Sequence, residues 1–480
     1  MIFVHFSLLT GMKEKFTTLA CFAILVISGC AAYQYEAMPL ETKQVFNGFS
    51  SRTLADPELK EFMRSYQYSI KEWPLQSWDL EALTLAAFYF HPDIQVAIAE
   101  YARSKSHEET INQLINPGIQ LPLEYHSDTS GGKSPWLIGL LFDFILERQG
   151  KRQARFEQAH AETSVARTGI SSAAWEIYSN LRKRYFEYYA AIKNQDLLIE
   201  QEKISENVLN LVSRRRELGQ ASEFEVNSAR LDLQRIRLEK TNHEIIIVEA
   251  FQSLANAIGI PASALKKNQL LLADIDNFNN IGNMTLEQLQ GIALLHRFDI
   301  QKAVENYAAF EAALKLEIEK QYPDVTLSPG FIFDQEDRIW AIGASWILPL
   351  FHPQNEGPIK EALAMRDVKQ AEFLALQADV INEISAAFAG YTARENALNQ
   401  ARQLLKEIQV RHEQLQKQYD LGYLDLLDLQ RSVIEVSNAE KALSDIRLSV
   451  IQSVGEIENT LQYPQFTRDK YQYLVNESAQ

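Results

Sequence analysis

The sequence predicts a mainly α-helical protein with a small β part, in which one helix–β-hairpin–long-helix unit occurs twice. Apolar residues recur at a four-three spacing from Val380 to Tyr419, and residues 359–419 contain no proline. This pattern predicts a coiled-coil helix of roughly 90 Å at ~1.5 Å per residue. Two pairs of short segments alternate with the period of a strand. The motif around Asp93 recurs around Asp299, 206 positions later, which indicates an internal duplication.

Composition narrows the possible functions before any element is placed. The chain has 480 residues, is 46% hydrophobic and has a net charge of −16, so a nucleic-acid partner is not expected. Its two cysteines, Cys21 and Cys30, lie near the start, which predicts no disulfide and no thiolate metal site in the body. We find no Ser/His/Asp set, phosphate loop or metal motif. The sequence therefore predicts no catalytic residue, no metal site and no cofactor.

Residues 1–29 are interpreted as a lipoprotein signal peptide. Lys13 and Lys15 precede an apolar run at 16–27, which is too short for an ordinary membrane span. Small residues then lead to Cys30, the predicted lipid-attachment (acylated) residue. An ordinary signal peptide or membrane anchor with a chance cysteine remains an alternative. A start at Met12 instead of Met1 also remains open.

The rest of the chain is divided by its patterns. We expect an extended leader at 30–77, a first repeat at 78–273, a linker at 274–283, a second repeat at 284–463 and a C-terminal tail at 464–480. Each repeat should begin with a helix of about 30 residues, near Leu83–Ile115 and Leu286–Gln321. The β-hairpins fall at about 117–147 and 323–350. The long helices are expected at about 150–218 and 224–258, then 358–421 and 424–461.

The four predicted strands are apolar on one face and small or polar on the other, which fits a membrane-spanning β-barrel. A soluble hairpin packed on helices is the alternative. Four strands cannot close a barrel, and open sheet edges are not tolerated in lipid, so the pattern predicts an oligomer. Trp136, Trp340 and Trp346 fit a belt at the membrane interface, although tryptophans in a hairpin core would give the same pattern.

With these features in place, the chain resembles the TolC-like outer-membrane factors, lipoprotein type, over residues 78–463. The resemblance rests on the duplicated order of elements, on the residues closing the second hairpin, and on two helix breaks. These motifs are Ile347-Leu348-Pro349-Leu350-Phe351, Arg216-Glu217-Leu218-Gly219 and Tyr419-Asp420-Leu421-Gly422. The stretch Glu147-Arg148-Gln149-Gly150-Lys151-Arg152 with Arg155 is most similar to the branch serving heavy-metal efflux pumps.

The resemblance implies a homotrimer whose twelve strands form one outer-membrane β-barrel, continued by a periplasmic α-helical coiled-coil tunnel. It implies an exit duct of a tripartite efflux or type I secretion system in the bacterial outer membrane. The implied partners are outer-membrane lipid, a periplasmic adaptor (membrane fusion) protein and an inner-membrane pump such as an RND-type transporter. The alternative is a lipid-anchored periplasmic coiled-coil scaffold or adaptor without a pore. The cargo is not specified by the sequence.

The two Leu-Gly breaks join long helices into hairpins, and in the family these tips meet the adaptor and close the tunnel. The resemblance therefore implies docking tips at Leu218, Gly219, Ser222, Leu421 and Gly422. The turn at residues 423–424 departs from the family's best-known member, in which a longer turn includes an arginine. We expect the basic run at residues 214–216 to be a solvated charge cluster, with adaptor contact as the alternative.

Four residues near these tips match the family's gate. Asp425 and Asp428 align with gate carboxylates, Tyr419 with a gate tyrosine, and Glu225 with the acid of the first hairpin. A Tyr419–Glu225 hydrogen bond would help to hold the tunnel shut. The alternative for the aspartates is that they are acids favoured at a helix start by the helix dipole.

Overall fold

The structure is a computed structural model and describes residues 35–127, 133–272, 281, 284–347 and 355–463. The chain divides into two units, one up to Ser51 and the other from Arg52 onward. In the first unit the described residues contain helix α1 (Thr42–Ser50), none of whose residues is buried. The predicted signal peptide, Cys30, the C-terminal tail and nearly all of the linker at 274–283 lie outside the described residues.

The second unit contains ten helices among its described residues. They are α2 (Pro57–Ser65), α3 (Leu80–Phe90), α4 (Pro92–Ile111), α5 (Gln149–Glu217), α6 (Glu223–Ile258), α7 (Ala262–Leu265), α8 (Leu286–His296), α9 (Phe298–Glu319), α10 (Glu356–Asp420) and α11 (Leu426–Leu461). Its strands are β1 (Ser77–Trp78), β2 (Gly118–Gln120), β3 (Leu123–Tyr125), β4 (Trp136–Leu146), β5 (Gln269–Leu270), β6 (Val325–Asp334) and β7 (Asp337–Trp346). The fold class is confirmed, because two helices of 69 and 65 residues dominate and the β part consists, among the described residues, of a five-stranded main sheet and a two-stranded one formed by β1 and β5.

The first helix of each repeat is broken, which corrects the expectation of single helices at 83–115 and 286–321. α3 and α4 meet at His91 with a bend of 52°. His91 has an extended backbone (φ −72°, ψ 127°), as the following Pro92 favours. Among the described helices no single one is long and apolar enough to cross a membrane, and only this bent pair passes on length and composition.

The second repeat breaks at Arg297 without a proline. Arg297 has nearly the same backbone conformation as His91 (φ −63°, ψ 130°). Its guanidinium is buried, donates to Asp299 and Glu383, and reaches the backbone carbonyl of Thr460 at 2.8 Å. Tertiary contacts to α10 and α11 therefore stabilise this break, which explains why the local sequence did not predict it.

The extended leader expected at 30–77 is wrong for residues 52–77. Pro57 begins helix α2, and Asp56 caps it by accepting from the Glu58 N–H at 2.9 Å. Leu59 and Met63, four positions apart, are fully buried in the main core. This segment is therefore part of the folded body, and the pair Asp56-Pro57 is the local sequence signal for the start of its helix.

The main sheet has the order β2–β4–β6–β7, with β3 also paired to β4. β2 and β3 are two parts of one strand, interrupted at Pro122, whose carbonyl accepts from the Gly139 N–H. The register places Phe331 opposite both Leu140 and Trp340. Most apolar side chains of the four strands consequently lie on one face, as the alternating pattern predicted, although β4 also places Leu137, Leu141 and Ile145 on the other face.

The long helices pack as two antiparallel hairpins, α5 with α6 and α10 with α11, and α5 also packs along α11. The main core surrounds Trp78, Tyr178 and Tyr185. A second apolar cluster lies between α8, α10 and α11 around Val380 and Ile384. The ends of the four long helices, α5, α6, α10 and α11, lie within two residues of the predicted positions. Proline and Leu-Gly signals in the sequence mark these ends.

Candidate functional site

The two helix breaks have the same backbone geometry. Gly219 (φ +72°) and Gly422 (φ +77°) adopt the left-handed conformation that glycine accepts without steric cost. Their N–H groups donate to Arg216 O and Tyr419 O, each at 2.9 Å. Each break is thus a glycine-terminated helix end, and the duplication preserves the turn itself.

The returning helices are capped in different ways. At α6, Ser222 and Glu225 form a capping box in which the Glu225 carboxylate accepts from the Ser222 N–H (2.7 Å) and hydroxyl (2.8 Å). At α11, Asp425 Oδ1 accepts from the N–H groups of Leu427 (2.7 Å) and Asp428 (3.1 Å). Ser222 and Asp425 are therefore the N-caps of α6 and α11.

The two tips are joined to each other within one chain. Arg215 Nη2 of α5 donates to Asp425 Oδ2 at 2.8 Å, which links the first hairpin to the second. Below this ion pair, Leu427 packs against Val212 and Val226 in a small buried cluster. Asp425 therefore uses one carboxylate oxygen for its own helix and the other for the neighbouring hairpin.

The electrostatics of the tip favour charged carboxylates. Burial alone would raise the pKa of Asp425, but the bond from Arg215 and the two backbone N–H groups hold it below the ordinary value. Hydrogen bonds from the Ser222 N–H and hydroxyl lower the pKa of Glu225, and the nearby charges of Arg215 and Arg431 act in the same direction. Both acids are therefore ionised at neutral pH.

Two expectations about side-chain pairing need correction. Within the described part of one chain, the Glu225 carboxylate bonds Ser222, and the anticipated Tyr419–Glu225 bond is not formed. The basic run at 214–216 is not simply solvated, since Arg215 bonds Asp425 and Arg216 lies 2.6 Å from Glu223. Position along one helix does not predict these partners, because Asp425 belongs to the second hairpin and Glu223 to the returning helix of the first.

Both tips expose large apolar side chains at the end of the rods. Leu218 and Leu421 close their helices and are 73% and 71% exposed, while Phe224 and Tyr423 are 80% and 82% exposed. Exposed apolar groups of this size, surrounded by charges, suit a protein contact. Phe224 and Tyr423 were not among the predicted docking residues, although their place beside the Leu-Gly turns was visible in the sequence.

The basic motif after the first hairpin fastens the sheet to the helices. Lys151 Nζ lies 2.7 Å from Asp324 Oδ1, just before β6, and Arg148 Nε lies 3.4 Å from Glu319 at the end of α9. Gly150 leaves room for that glutamate, because a Cβ there would lie 2.5 Å from its carboxylate. These residues hold the start of α5 against the second repeat, which is a structural role.

The predicted interface tryptophans lie on the apolar face of the sheet. Trp136 begins β4 and Trp346 ends β7, so they lie at opposite ends of the strands. Trp340 lies opposite Phe331 in the register and is 83% exposed in the isolated chain. Two tryptophans at opposite strand ends would suit the two water–lipid boundaries around a barrel, and their assignment to a membrane interface stays a prediction.

The opposite face of the sheet is polar at its centre. Asp143 accepts hydrogen bonds from Gln120 at 2.6 Å and Ser328 at 2.5 Å, linking three strands. Among the described residues, no three His, Cys, Asp or Glu side chains converge as a metal site requires. The sheet thus has one apolar face and one face able to contact water.

Comparisons with known proteins give a consistent result. A family model described as outer membrane efflux protein matches residues 85–260 and 289–461, one segment in each repeat. The probable efflux pump outer membrane protein TtgC and the antibiotic efflux pump outer membrane protein ArpC, both of Pseudomonas putida, are each 25% identical over 315 residues. The match spans 62% of this chain and 60% of the length of either relative.

Solved structures share the fold. The outer membrane protein VceC of Vibrio cholerae superposes with a TM-score of 0.65 at 18% identity, over 80% of this chain and 96% of that one. The CmeC outer membrane channel of Campylobacter jejuni gives 0.62 at 15% identity, over 93% and 94%. The outer-membrane channel OprN gives 0.66 at 17% identity, over 91% and 100%.

Proposed function

Because the chain belongs to the outer membrane efflux protein family, we propose that it is the outer-membrane exit duct of a tripartite efflux system. In this role it performs no chemical step. An inner-membrane pump drives the solute, an adaptor connects the pump to the tips of the helical hairpins, and the duct lets the solute out. A duct of a type I secretion system uses the same architecture and differs only in the pump and the cargo.

The sheet is the observation that best supports this proposal. Its apolar face includes Leu123, Ile138, Phe331 and Ile342 in adjacent strands, and these side chains point away from the polar face around Asp143. In a soluble hairpin the apolar side chains would be the buried ones, yet Ile342 is 78% exposed. Lipid on one side and water on the other accounts for both faces.

Association of several chains follows from the edges of this sheet. β2 and β3 form one edge and β7 the other, and their outer backbone groups have no partner strand among the described residues of one chain. Unpaired backbone groups are too costly in hydrocarbon, so each edge requires the opposite edge of another copy. Three copies would supply the twelve strands that the family resemblance implies.

The helical part offers a matching contact surface. α6 and α10 are the outer helices of a layer in which α5 packs on α11. Along α6, Phe224, Leu231, Leu238 and Ile245 recur every seven residues, and all four are more than half exposed. We call these four residues the α6 stripe. It is opposite the face that packs on α5, so a neighbouring copy can cover it.

Lipid attachment at Cys30 and a location in the outer membrane complete the proposal. Cys30 follows an apolar run and small residues, as in a lipoprotein processing site. Acylation there would add a membrane anchor on the periplasmic side without contributing to the pore. The tips at residues 218–225 and 421–428 would then form the gate and the adaptor contact.

The direct test is channel activity of the purified full-length chain in planar bilayers. We expect a heat-sensitive trimer on gels and discrete single-channel conductance. A Cys30→Ala variant should remain in the outer membrane after extraction with high salt, because the barrel holds it there. A monomer without conductance, released by Cys30→Ala, would instead identify the lipid-anchored scaffold.

The cargo is the least determined part of this function. The relatives are named for antibiotic and toluene efflux, whereas the basic motif near Gly150 resembles the heavy-metal branch. The structure gives that motif intramolecular partners such as Asp324 and Glu319. The test compares a strain that lacks the gene with the same strain after the gene is restored, for susceptibility to toluene, antibiotics and metal ions. The compounds against which only the restored strain is protected identify the class of cargo.

A further inference from the structure

The apolar face of the main sheet contains one charged residue among the described strands, Arg338 of β7. The register places it in a row whose other members are apolar, namely Phe333, Ile138 and Leu123. The remaining residues of these strands that share the face, from Tyr125 at one end to Trp346 at the other, are uncharged. A single arginine on a face of this kind needs a reason, because a charge is costly against lipid.

The Arg338 side chain is exposed and lacks a counter-ion among the described residues. Its acidic neighbour Asp337 accepts from the Arg338 backbone N–H at 2.8 Å. Because successive residues of a strand alternate, Asp337 lies on the polar face. Cations at the other end of the sheet differ, since Lys151 lies 2.7 Å from Asp324. The guanidinium of Arg338 is therefore available to an anion from outside the chain.

Arg338 lies near one end of the apolar face. It follows the turn between β6 and β7, whereas α5 and α10 follow the opposite end of the strands. From Arg338 to Trp346, β7 spans roughly 27 Å at ~3.4 Å per residue, and a tilt of about 40° reduces this to a height of roughly 20 Å. The apolar band of a barrel is about 25 Å tall. The two residues would therefore lie near the two boundaries of the bilayer, where a charge is tolerated.

The surroundings of Arg338 are aromatic. Trp340, the next residue of β7 on the same face, is 83% exposed. One row closer to the end of the sheet, the rings of Tyr125 and Trp136 lie 5.0 Å apart. Rings that combine an apolar body with a polar tip suit the level of the lipid headgroups. The arginine thus lies within reach of headgroups, with apolar surface beside it for an acyl chain.

The position of Arg338 along the barrel specifies the class of lipid. In the proposed duct the helices lie in the periplasm, so Arg338 is in the outer leaflet. That leaflet of the bacterial outer membrane contains lipid A, a glycolipid with acyl chains and with phosphates on a glucosamine disaccharide. A guanidinium binds a phosphate through two parallel hydrogen bonds. Phospholipids of the inner leaflet would meet the sheet at Trp346, roughly 20 Å away.

We propose that Arg338 and Trp340 form a binding site for lipid A, in which the guanidinium binds a phosphate and the indole contacts an acyl chain. This inference rests on the proposed function, because the orientation of the sheet in the membrane depends on it. The site is separate from the pore, since it lies on the face opposite to Asp143. Lipid A would supply the anion that the described part of the chain does not.

The test counts lipids bound to the purified full-length trimer by native mass spectrometry. The probes are lipid A, the same lipid A after removal of its phosphates, and phosphatidylglycerol. Lipid A should bind about 10-fold or more tightly than its dephosphorylated form, because that form cannot make the charged hydrogen bonds. Equal binding of these two forms would overturn the site. Binding of phosphatidylglycerol as tight as that of lipid A would overturn its assignment to the outer leaflet.

Variants locate the site on the sheet. Arg338→Gln should bind lipid A only as well as wild type binds the dephosphorylated form, and Arg338→Lys should bind with intermediate affinity because it keeps the charge and loses the second hydrogen bond. Lys133→Gln is the matched control, since Lys133 is an exposed cation just before β4, outside the described strands. It should bind like wild type. Wild-type binding by Arg338→Gln, or a loss confined to Lys133→Gln, would contradict the proposal.

Lipid binding and conductance report on different claims. Without added lipid, every variant should form a trimer with the conductance of wild type, because Arg338 does not face the pore. If the trimer conducts but does not distinguish lipid A from its dephosphorylated form, the lipid site fails and the channel stands. If the chain binds lipid A through Arg338 but never conducts, the channel proposal fails and the lipid site stands.

Discussion

At the residue scale, Asp425 both caps its own helix and connects the two hairpins. One carboxylate oxygen binds the start of α11 and the other binds Arg215. We expect Asp425→Ala to raise single-channel conductance several-fold, because the second tip loses its bond to the first. Asp428→Ala is the matched control, since Asp428 lies 3.7 Å from Arg431 of its own helix and should have a smaller effect. Equal conductance of wild type and Asp425→Ala would exclude Asp425 from the gate.

The same residue predicts a pH dependence. The pKa of Asp425 is lowered in the folded chain, so its ion pair is complete above the ordinary aspartate value of 3.8. The stabilisation is lost only as pH falls through the lower folded pKa. Asp425 should therefore contribute no change in conductance between about pH 5 and 8, and an increase at more acidic pH. Single-channel recording of the wild type and of Asp425→Asn over this pH range tests the direction of the effect. The increase in conductance at acidic pH should be absent from Asp425→Asn.

The tip glycines give a prediction about stability. Gly422→Ala puts a Cβ on a left-handed residue and should destabilise the second hairpin by about 1 kcal/mol. Gly169→Ala is the control, because Gly169 lies inside α5 with no atom within 4 Å of the added Cβ. It should stabilise the chain by about 0.5–1 kcal/mol. Denaturant unfolding of both variants should show opposite signs, and a shared sign would contradict the conformational argument.

At the scale of elements, the sequence predicted those features that local chemistry fixes. The ends of α5 and α10 were predicted because Leu-Gly pairs and prolines mark them. The faces of the strands followed from alternation, and Leu140 and Phe331 indeed share a face. The break at Arg297 was missed because its cause is a set of contacts to distant helices.

Predictability was lower for the candidate site for the same reason. Asp425 and Ser222 could be assigned as N-caps from sequence, since caps act within one turn. The partner of Asp425 could not, because Arg215 is 210 positions away and meets it only when two hairpins pack. Leu427 lies in an apolar run, and the sequence did not identify which residues of that run are buried.

Arg182 of α5 and Glu458 of α11 form a buried ion pair, which allows a test of how two elements are joined. Glu458→Ala leaves the Arg182 charge buried without its main counter-ion and should destabilise the chain by about 3–5 kcal/mol. Replacing both residues, Arg182→Met with Glu458→Leu, should recover most of that loss because no charge remains buried. Thermal unfolding of the two variants provides the comparison. A double variant as unstable as Glu458→Ala would show that the pair contributes more than mutual neutralisation.

At the scale of the whole molecule, both the sheet and the helices require contact with another copy of the chain. Within the described residues the sheet has two open edges, and the α6 stripe faces away from the helix on which α6 packs. A single interface type, repeated around an axis, would cover both. In the proposed trimer the strand edges would satisfy backbone groups within lipid, while the α6 stripe would remove apolar side chains from water in the periplasm.

The α6 stripe can be tested apart from the barrel. Leu231→Glu with Leu238→Glu replaces two exposed leucines by charges and should prevent association of the helical part, because each charge would have to be buried without a partner. The matched control is Gln234→Glu with Thr241→Glu, which adds two charges beside the stripe and removes no apolar group. Native gels should show trimer for the control and loss of trimer, or a more heat-sensitive one, for the leucine variant. Trimers of equal heat stability would mean that the barrel alone holds the copies together, and the α6 stripe would then be free to bind the adaptor.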